Sequence, residues 1–289
     1  MNRLRISVVE YLNTAPLVWG FTDGLLAGKY DLSFTVPSLC AEELGSGKAD
    51  VAVIPAIEYQ RMDDVVVLPG MAIAAKDEVR SILVIAKKPI EQARRIALDT
   101  SSRSSAALVR LLCAGRWKIA PEFVEVAPDP EVMLASADAA LVIGDPALRV
   151  ALRAESLPAE LPVPGHATVF LYDVAHEWRE MTGRPCVLAM WVARRGAARP
   201  EVVADFLASR EYGLARIPEI AVKAARQLGL PARELERYLR ENICFSLDEE
   251  CRAGLELYFQ MCAEAGLTPR AKRLEFAGAP GATAAGRGG

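Results

Sequence analysis

Arg95-Ile-Ala-Leu-Asp-Thr-Ser-Ser-Arg-Ser-Ser-Ala-Ala-Leu-Val-Arg-Leu-Leu-Cys-Ala-Gly115 is the stretch on which the fold turns. Ile96 to Leu98 reads as a short buried strand. Asp99 to Ser105 is a run of hydroxyls around one Arg. Ala106 to Cys113 is apolar enough for a helix lying on a sheet, and Gly115 suits its C-cap. A strand that ends in small hydroxyl residues and opens into a helix makes an anion site, because the first helical N–H groups lack internal partners and the helix N-terminus carries partial positive charge. Ser and Thr also cap helices without any ligand, and for one such junction taken alone capping is the commoner explanation.

The same junction recurs upstream. Arg3 to Glu10 alternates as a strand, and Tyr11-Leu-Asn-Thr-Ala-Pro-Leu17 follows it. Pro16 suits a first helical turn with Asn13 or Thr14 as N-cap, and the helix is expected to continue to Leu26, before Gly28. Tyr30 to Val36 reads as strand, Pro37-Ser38 as a helix start, Ala49 to Ile54 as a buried strand ended by Pro55, and Ile57 to Arg61 as a short helix. Val65 to Leu68 and Ile73 to Ala75 read as short strands around a Pro-Gly turn. This βαβαβ order predicts a parallel sheet with crossover helices.

A second such set runs downstream of Ser81. Its members are strand 81–87, strand 96–98, a helix over about 104–114, strand 121–126, helix 130–135 and strand 139–143 before a Gly-Asp-Pro turn. Residues 150–165 carry several prolines and read as loop. Val169 to Tyr172 reads as strand, Asp173 to Met181 as helix and Cys186 to Ala193 as a long apolar strand. Helices are expected at 201–209, 213–228, 231–240 and 248–265. The Gly/Ala-rich tail 277–289 is expected to be disordered.

Composition narrows the class. The chain has 289 residues, 52% hydrophobic and 25% charged, with a net charge of −3. That is an ordinary globular balance, and it argues against a nucleic-acid binder that relies on a broad basic field. No apolar run approaches the ~18 residues of a membrane span. The first ten residues do not form a signal peptide. Six scattered cysteines with no C-x-x-C and only two histidines point away from a zinc site and toward reduced thiols in the cytoplasm. No phosphate-binding Gly loop or Ser-His-Asp set is recognisable, so neither a nucleotide nor a metal cofactor is expected. The sequence leaves the oligomeric state open.

Three segments, Tyr11-Leu-Asn-Thr-x-Pro-Leu, Leu98-Asp-Thr-Ser-Ser-Arg-Ser-Ser and Ile143-Gly-Asp-Pro-Ala-Leu, share an order and spacing with Val53-Ile-Pro-Ala-Ile-Glu-Tyr-Gln-Arg and Tyr172-Asp-Val-Ala-His-Glu-Trp-x-x-x-Thr-Gly-x-Pro. From about Arg3 to about Arg194 the chain resembles the chorismate dehydratases, the first enzymes of the futalosine route to menaquinone. It departs from them modestly, with Ser102-Arg-Ser-Ser for Ser-Arg-Thr-Ser and Thr182-Gly-Arg-Pro-Cys for Thr-Gly-Leu-Pro-Phe. The resemblance implies an α/β fold of the periplasmic-binding-protein-like second type, with two α/β lobes around a central cleft. The expected lobes are 1–80 with 187–289, and 81–186. It also implies a hydro-lyase that converts chorismate to 3-[(1-carboxyvinyl)oxy]benzoate. The alternatives are a non-catalytic solute-binding protein on the same fold and the related enzyme acting on cyclic dehypoxanthine futalosine.

Open α/β sheets bind ligands beyond the carboxyl ends of their strands. In a two-lobed fold Asn13, Thr14, Pro55, Thr100, Ser101, Ser102, Gly144 and Asp145 would converge there, which turns the two junctions from plain caps toward ligand contacts. Tyr11 and Ser38 belong to the same group, and Ser81 reaches it from the crossover. Arg103 either grips a carboxylate bidentately or points outward. Asp145 either accepts from a ligand or, the reading preferred here, from its own turn. His166, His176 and Glu58 are the remaining candidates for a base, none of them marked by a catalytic motif. Asn13 is expected to be catalytic: a neutral amide at a strand-to-helix junction can hold a leaving hydroxyl while the substrate's own carboxylate takes the proton.

Overall fold

The computed structural model describes residues 3–156 and 169–278. The strands, in chain order, are β1 (Arg5–Val9), β2 (Asp31–Thr35), β3 (Val51–Pro55), β4 (Val65–Ala75), β5 (Ile82–Ala86), β6 (Arg95–Asp99), β7 (Glu122–Val126), β8 (Ala139–Ile143), β9 (Phe170–Asp173) and β10 (Cys186–Arg194). The helices that position the site are α1 (Ala15–Thr22), α2 (Pro37–Gly45), α3 (Arg103–Leu112), α4 (Pro130–Ser136), α5 (Gly144–Ser156) and α6 (Val174–Thr182). Four more follow: α7 (Pro200–Leu214), α8 (Ile217–Leu228), α9 (Ala232–Arg237) and α10 (Glu249–Glu264).

Two five-stranded sheets form, in the orders β2-β1-β3-β10-β4 and β7-β6-β8-β5-β9. Each has three parallel strands, with the central one of the three first in sequence, then an antiparallel fourth strand. That fourth strand is β10 in the first sheet and β5 in the second. The chain passes to the second sheet between β4 and β5 and returns between β9 and β10. The sheets are therefore mixed, where the βαβαβ order alone predicts parallel ones. The inner strands β3, β5 and β8 are buried along their whole length, as their unbroken apolar sequences require when both faces are covered. On β5, Leu83 and Ile85 join a cluster with Met133 and Ala147, while Val84 and Ala86 face the main core. The edge strand β2, Asp-Leu-Ser-Phe-Thr, is largely exposed and polar.

Several boundaries differ from the sequence expectation, each for a tertiary reason. Helix α1 stops at Thr22, not Leu26, and Leu25 lies fully in solvent. The two short strands around Pro69-Gly70 are one strand, β4, whose Gly70 takes φ +75° where the register against β10 shifts. Gly115 caps nothing. It lies inside a π-helical turn, Cys113–Trp117, where a Cβ would come 2.5 Å from Met181 Sδ, and Lys118 takes the left-handed conformation instead. Gly213 does not break α7, which runs through it to Leu214. A Cβ there would sit 2.0 Å from the Pro16 carbonyl oxygen, so glycine lets α7 and α1 touch. Gly144-Asp145-Pro146 opens α5 and is not a free turn, and residues 150–156, expected as loop, continue that helix. The rest of that loop, with His166, lies outside the described residues. So does 279–289 of the expected tail, while Ala277 donates its N–H to Val67 O at 2.9 Å.

Asp173 anchors the crossover. Its carboxylate accepts from Arg80 N (2.6 Å) and Val79 N (3.1 Å) in the connecting segment. It also caps α6 by accepting from Ala175 N (3.0 Å) and His176 N (3.2 Å).

Candidate active site

A crevice runs between the two sheets at the carboxyl ends of β1, β3 and β8 and the start of α3. Its walls include Tyr11, Asn13 and Pro55 from the first sheet's connections, and Ser81, Ser102 and Gly144 from the second's. Six of the expected residues thus meet in one place. The cavity they leave is about 60 Å³, against the ~300–1,000 Å³ of ordinary ligand pockets. The sheets are drawn together, and an occupant larger than a few waters requires them to separate.

Tyr11 crosses the crevice. Its ring lies on Gly144, where a Cβ would fall 2.6 Å from Cε1, and Gly144 has φ +69°. Burial pushes the Tyr11 hydroxyl up to about 12, against the hydrogen bond with Ser101. Ser101 in turn gives both its N–H (2.8 Å) and its O–H (2.6 Å) to Asp99 Oδ1. Burial raises the Asp99 pKa, and those two hydrogen bonds oppose the rise. The Ser101 hydroxyl thus stands between Asp99 and Tyr11.

Asn13 is buried, with Oδ1 accepting a long hydrogen bond from Thr14 Oγ1 at 3.4 Å. Its side chain also acts on the hydroxyl of Tyr238, which donates to Ser81 Oγ at 2.8 Å. Tyr238 is fully enclosed, and burial raises its pKa far above the ordinary range. Ser81 O then accepts from Gly144 N at 2.8 Å. One chain of contacts thus runs from Asn13 through Tyr238 and the crossover to the opposite wall.

The N-caps do not behave as caps. Ser102 precedes α3 and Thr14 precedes α1, and neither side chain bonds its helix. Ser104 Oγ is used across the interface, accepting from Ile57 N at 3.2 Å. Ser102 and Ser105 face the crevice at the start of α3.

Other expected residues lie elsewhere. Asp145 does not serve its own turn. Its Oδ1 accepts from Leu12 N across the interface at 3.1 Å, and burial raises its pKa. With Thr14 it lines a neighbouring groove of about 580 Å³. Arg103 donates to Glu58 Oε2 (2.9 Å) and Glu42 Oε1 (2.6 Å), and Arg61 pairs with the same Glu58. Arg103 and Thr100 border a separate depression. Ser38 is buried in the first turn of α2, outside the crevice walls. Glu58, already held by two guanidinium groups, is no free base. His176 is exposed on Asp77 (2.8 Å), which raises its pKa.

Sequence reading missed four residues. Asp99, Ser104 and Ser105 stood in the stretch it began from, and the i, i+3 spacing of Ser102 and Ser105 on one helical face was the available signal. Tyr238 carried none, since nothing local connects it to Asn13. Among the described residues, no helix is long and apolar enough to cross a membrane.

Two mixed sheets, two crossovers and a crevice at the strand ends define a periplasmic-binding-protein-like α/β protein. Solved structures share that fold. A protein from Archaeoglobus fulgidus matches with a TM-score of 0.72 at 20% identity, covering 91% of this chain and 98% of that one. The periplasmic aliphatic sulphonate binding protein of Escherichia coli matches with a TM-score of 0.59 at 17% identity, covering 93% and 94%. The chain belongs to the menaquinone biosynthesis family, whose model matches residues 4–264. It is 30% identical over 263 residues to the chorismate dehydratase of Thermus thermophilus, covering 88% of this chain and 93% of that one.

Proposed function

We propose that this chain is a chorismate dehydratase, a hydro-lyase that removes water from chorismate to give 3-[(1-carboxyvinyl)oxy]benzoate in the cytoplasm. The near full-length similarity to the Thermus enzyme supports the substrate. One observation carries the mechanism: among the described residues whose side chains line the crevice, only Tyr11 is ionisable, and burial holds it neutral. Among the described residues, those walls offer no carboxylate or imidazole.

The reaction breaks the C3–H and C4–O bonds of the ring. The C3–H electron pair becomes the last double bond of the aromatic ring, and hydroxide leaves from C4. The carboxylate on the enolpyruvyl arm, attached through oxygen to C3, folds back and takes the C3 proton. That proton and the departing hydroxide make the water. The protein's part is conformation and orientation, which in intramolecular reactions accounts for ~7–11 kcal/mol of barrier at most. Asn13 holds the leaving hydroxyl, with Tyr238 and Ser81 fixing its amide. The start of α3, with Ser102 and Ser105, receives a ring or arm carboxylate through backbone N–H and hydroxyl donors.

The two sheets belong to two lobes, 1–80 with 187–289 and 81–186, which part at the crossovers to admit chorismate and close to exclude water. The test is incubation of the protein with chorismate, following ultraviolet absorbance and chromatography for the aromatic ether. Chorismate that binds but is returned unchanged would leave a solute-binding protein, and chorismate that does not bind would remove the proposal altogether.

A further inference from the structure

We propose that Cys244 and Cys251 form a reversible dithiol–disulfide pair, oxidised by a hydroperoxide, with Cys244 attacking and Cys251 resolving. The pair lies outside the crevice walls, and the inference is independent of the reaction proposed above.

Both backbones are fixed. Cys244 pairs with the end of β4, donating its N–H to Ala74 O at 2.7 Å and accepting from Ala74 N at 3.0 Å. Cys251 is the third residue of α10, and its N–H donates to the capping carboxylate Asp248 Oδ1 at 2.8 Å. The two thiols and the Asp248 carboxylate lie within 4.8 Å of one another. From within 4.8 Å, the sulfurs must approach to about 2.05 Å to form the bond.

The chemistry is asymmetric in the way a sensing pair needs. Cys244 is half-buried, whereas Cys251 is buried. The hydrogen bond from Cys251 is the largest of the effects that lower the Cys244 thiol to about 6, and the Lys76 ammonium adds to them. Cys251 is raised in turn by the same partner. The other four thiols are buried, and burial pushes Cys40 and Cys113 up to about 12 and Cys262 to about 11, with Cys186 raised as well.

The thiolate of Cys244 attacks one peroxide oxygen, the O–O bond breaks, and Cys244 becomes a sulfenic acid with release of hydroxide, or of alkoxide from an organic peroxide. The Cys251 sulfur then displaces the sulfenic oxygen as water and forms the S–S bond. Two thiols and hydrogen peroxide give one disulfide and two waters. A bound soft metal ion is the competing use of such a cluster. It is disfavoured because Lys76 Nζ already holds Asp248 (2.8 Å) and Glu250 (3.3 Å), leaving two thiols where closed structural sites use four ligands.

The test uses the intact chain. The tryptic peptide Glu241–Arg252 contains both cysteines and no others. After brief hydrogen peroxide, quenching and N-ethylmaleimide, this peptide should be two hydrogens lighter than reduced peptide and carry no maleimide. Dithiothreitol before labelling should restore two maleimides. In Cys251→Ser, dimedone should trap a sulfenic acid on Cys244. Uptake of two maleimides after peroxide would overturn the proposal. So would oxidation of Cys244 to sulfinic acid beside a free Cys251, or thiols that react only after a chelator is added, which would mark a metal site.

Discussion

Gly144→Ala separates closure from folding. Gly144 lies at φ +69°, so the substitution carries the ~1–2 kcal/mol strain of a left-handed L-residue. That part acts on the native state in any lobe position. The new methyl would also lie 2.6 Å from Tyr11 Cε1 and 2.7 Å from Cδ1 and Cζ. Carbon atoms attract best at ~3.5–4.0 Å, so the ring must retreat by about an ångström. Tyr11 then loses its hydrogen bond to Ser101, a net ~0.5–1.5 kcal/mol. Because Tyr11 and Gly144 stand on opposite walls, that clash is relieved by opening the crevice, and its cost falls on the closed state. The strain alone should lower the thermal midpoint by roughly 2–8 °C, at ~2–4 °C per kcal/mol for a chain near this size. The further ~1–3 kcal/mol on closure, clash and lost bond together, should cut kcat/KM by about 5- to 150-fold. Calorimetry and a chorismate-consumption assay on the same preparation measure the two parts. A variant with reduced stability but undiminished kcat/KM would refute the role given to Tyr11 in closure, and one unchanged in both would refute the backbone conformation itself.

Asn13→Ala should lower kcat by about 10²–10³-fold with a small change in thermal midpoint, by analogy with loss of one preorganised donor; steady-state rates measure it. Arg103→Gln should cost about 1–2 kcal/mol in urea unfolding, because Glu58 is enclosed and keeps only Arg61 while Arg103 itself is partly in solvent. Asp173 gives a pH signature. Burial raises it to about 6, above its unfolded value of about 3.9, so the folded state binds the extra proton. Its contribution is fully present below the unfolded pKa and is lost as pH rises through 6. Between pH 4 and pH 7 Asp173→Asn should remove about 2–3 kcal/mol of this pH dependence, read from denaturant titrations of both proteins across the range.

The strand pattern was legible because buried strands such as β3 and β8 are unbroken apolar runs, and nothing but coverage on both faces explains them. The strand direction was not. The antiparallel fourth strand of each sheet comes from the crossover, and its pairing depends on contacts between residues far apart in sequence, as between Val53 and Trp191 or Ile82 and Ile143. Glycine misled for one physical reason. A missing Cβ signals either a conformation or a close approach, and at Gly115 and Gly213 it is the approach of Met181 and Pro16 that matters. Sequence offers the residue but not the neighbour.

The hydroxyl run shows the same limit at the site and leads to the chemistry. From Thr100 to Ser105 the side chains look interchangeable, yet the fold assigns them unlike partners. Ser101 serves Asp99 and Tyr11, Ser104 holds Ile57, and Ser102 and Ser105 face the crevice. The charged groups are distributed just as selectively. Glu58 is held by Arg103 and Arg61, Asp145 by the Leu12 amide, and Asp99 by Ser101. Each of these carboxylates is thus already hydrogen-bonded, Glu58 and Asp145 by partners across the interface and Asp99 by its own loop. A wall of neutral donors cannot take a proton from carbon, but it can keep a dianionic substrate folded without neutralising it. The substrate-assisted route proposed above uses that wall: the base is the carboxylate the substrate brings with it, left under-solvated beside the hydrogen it must remove.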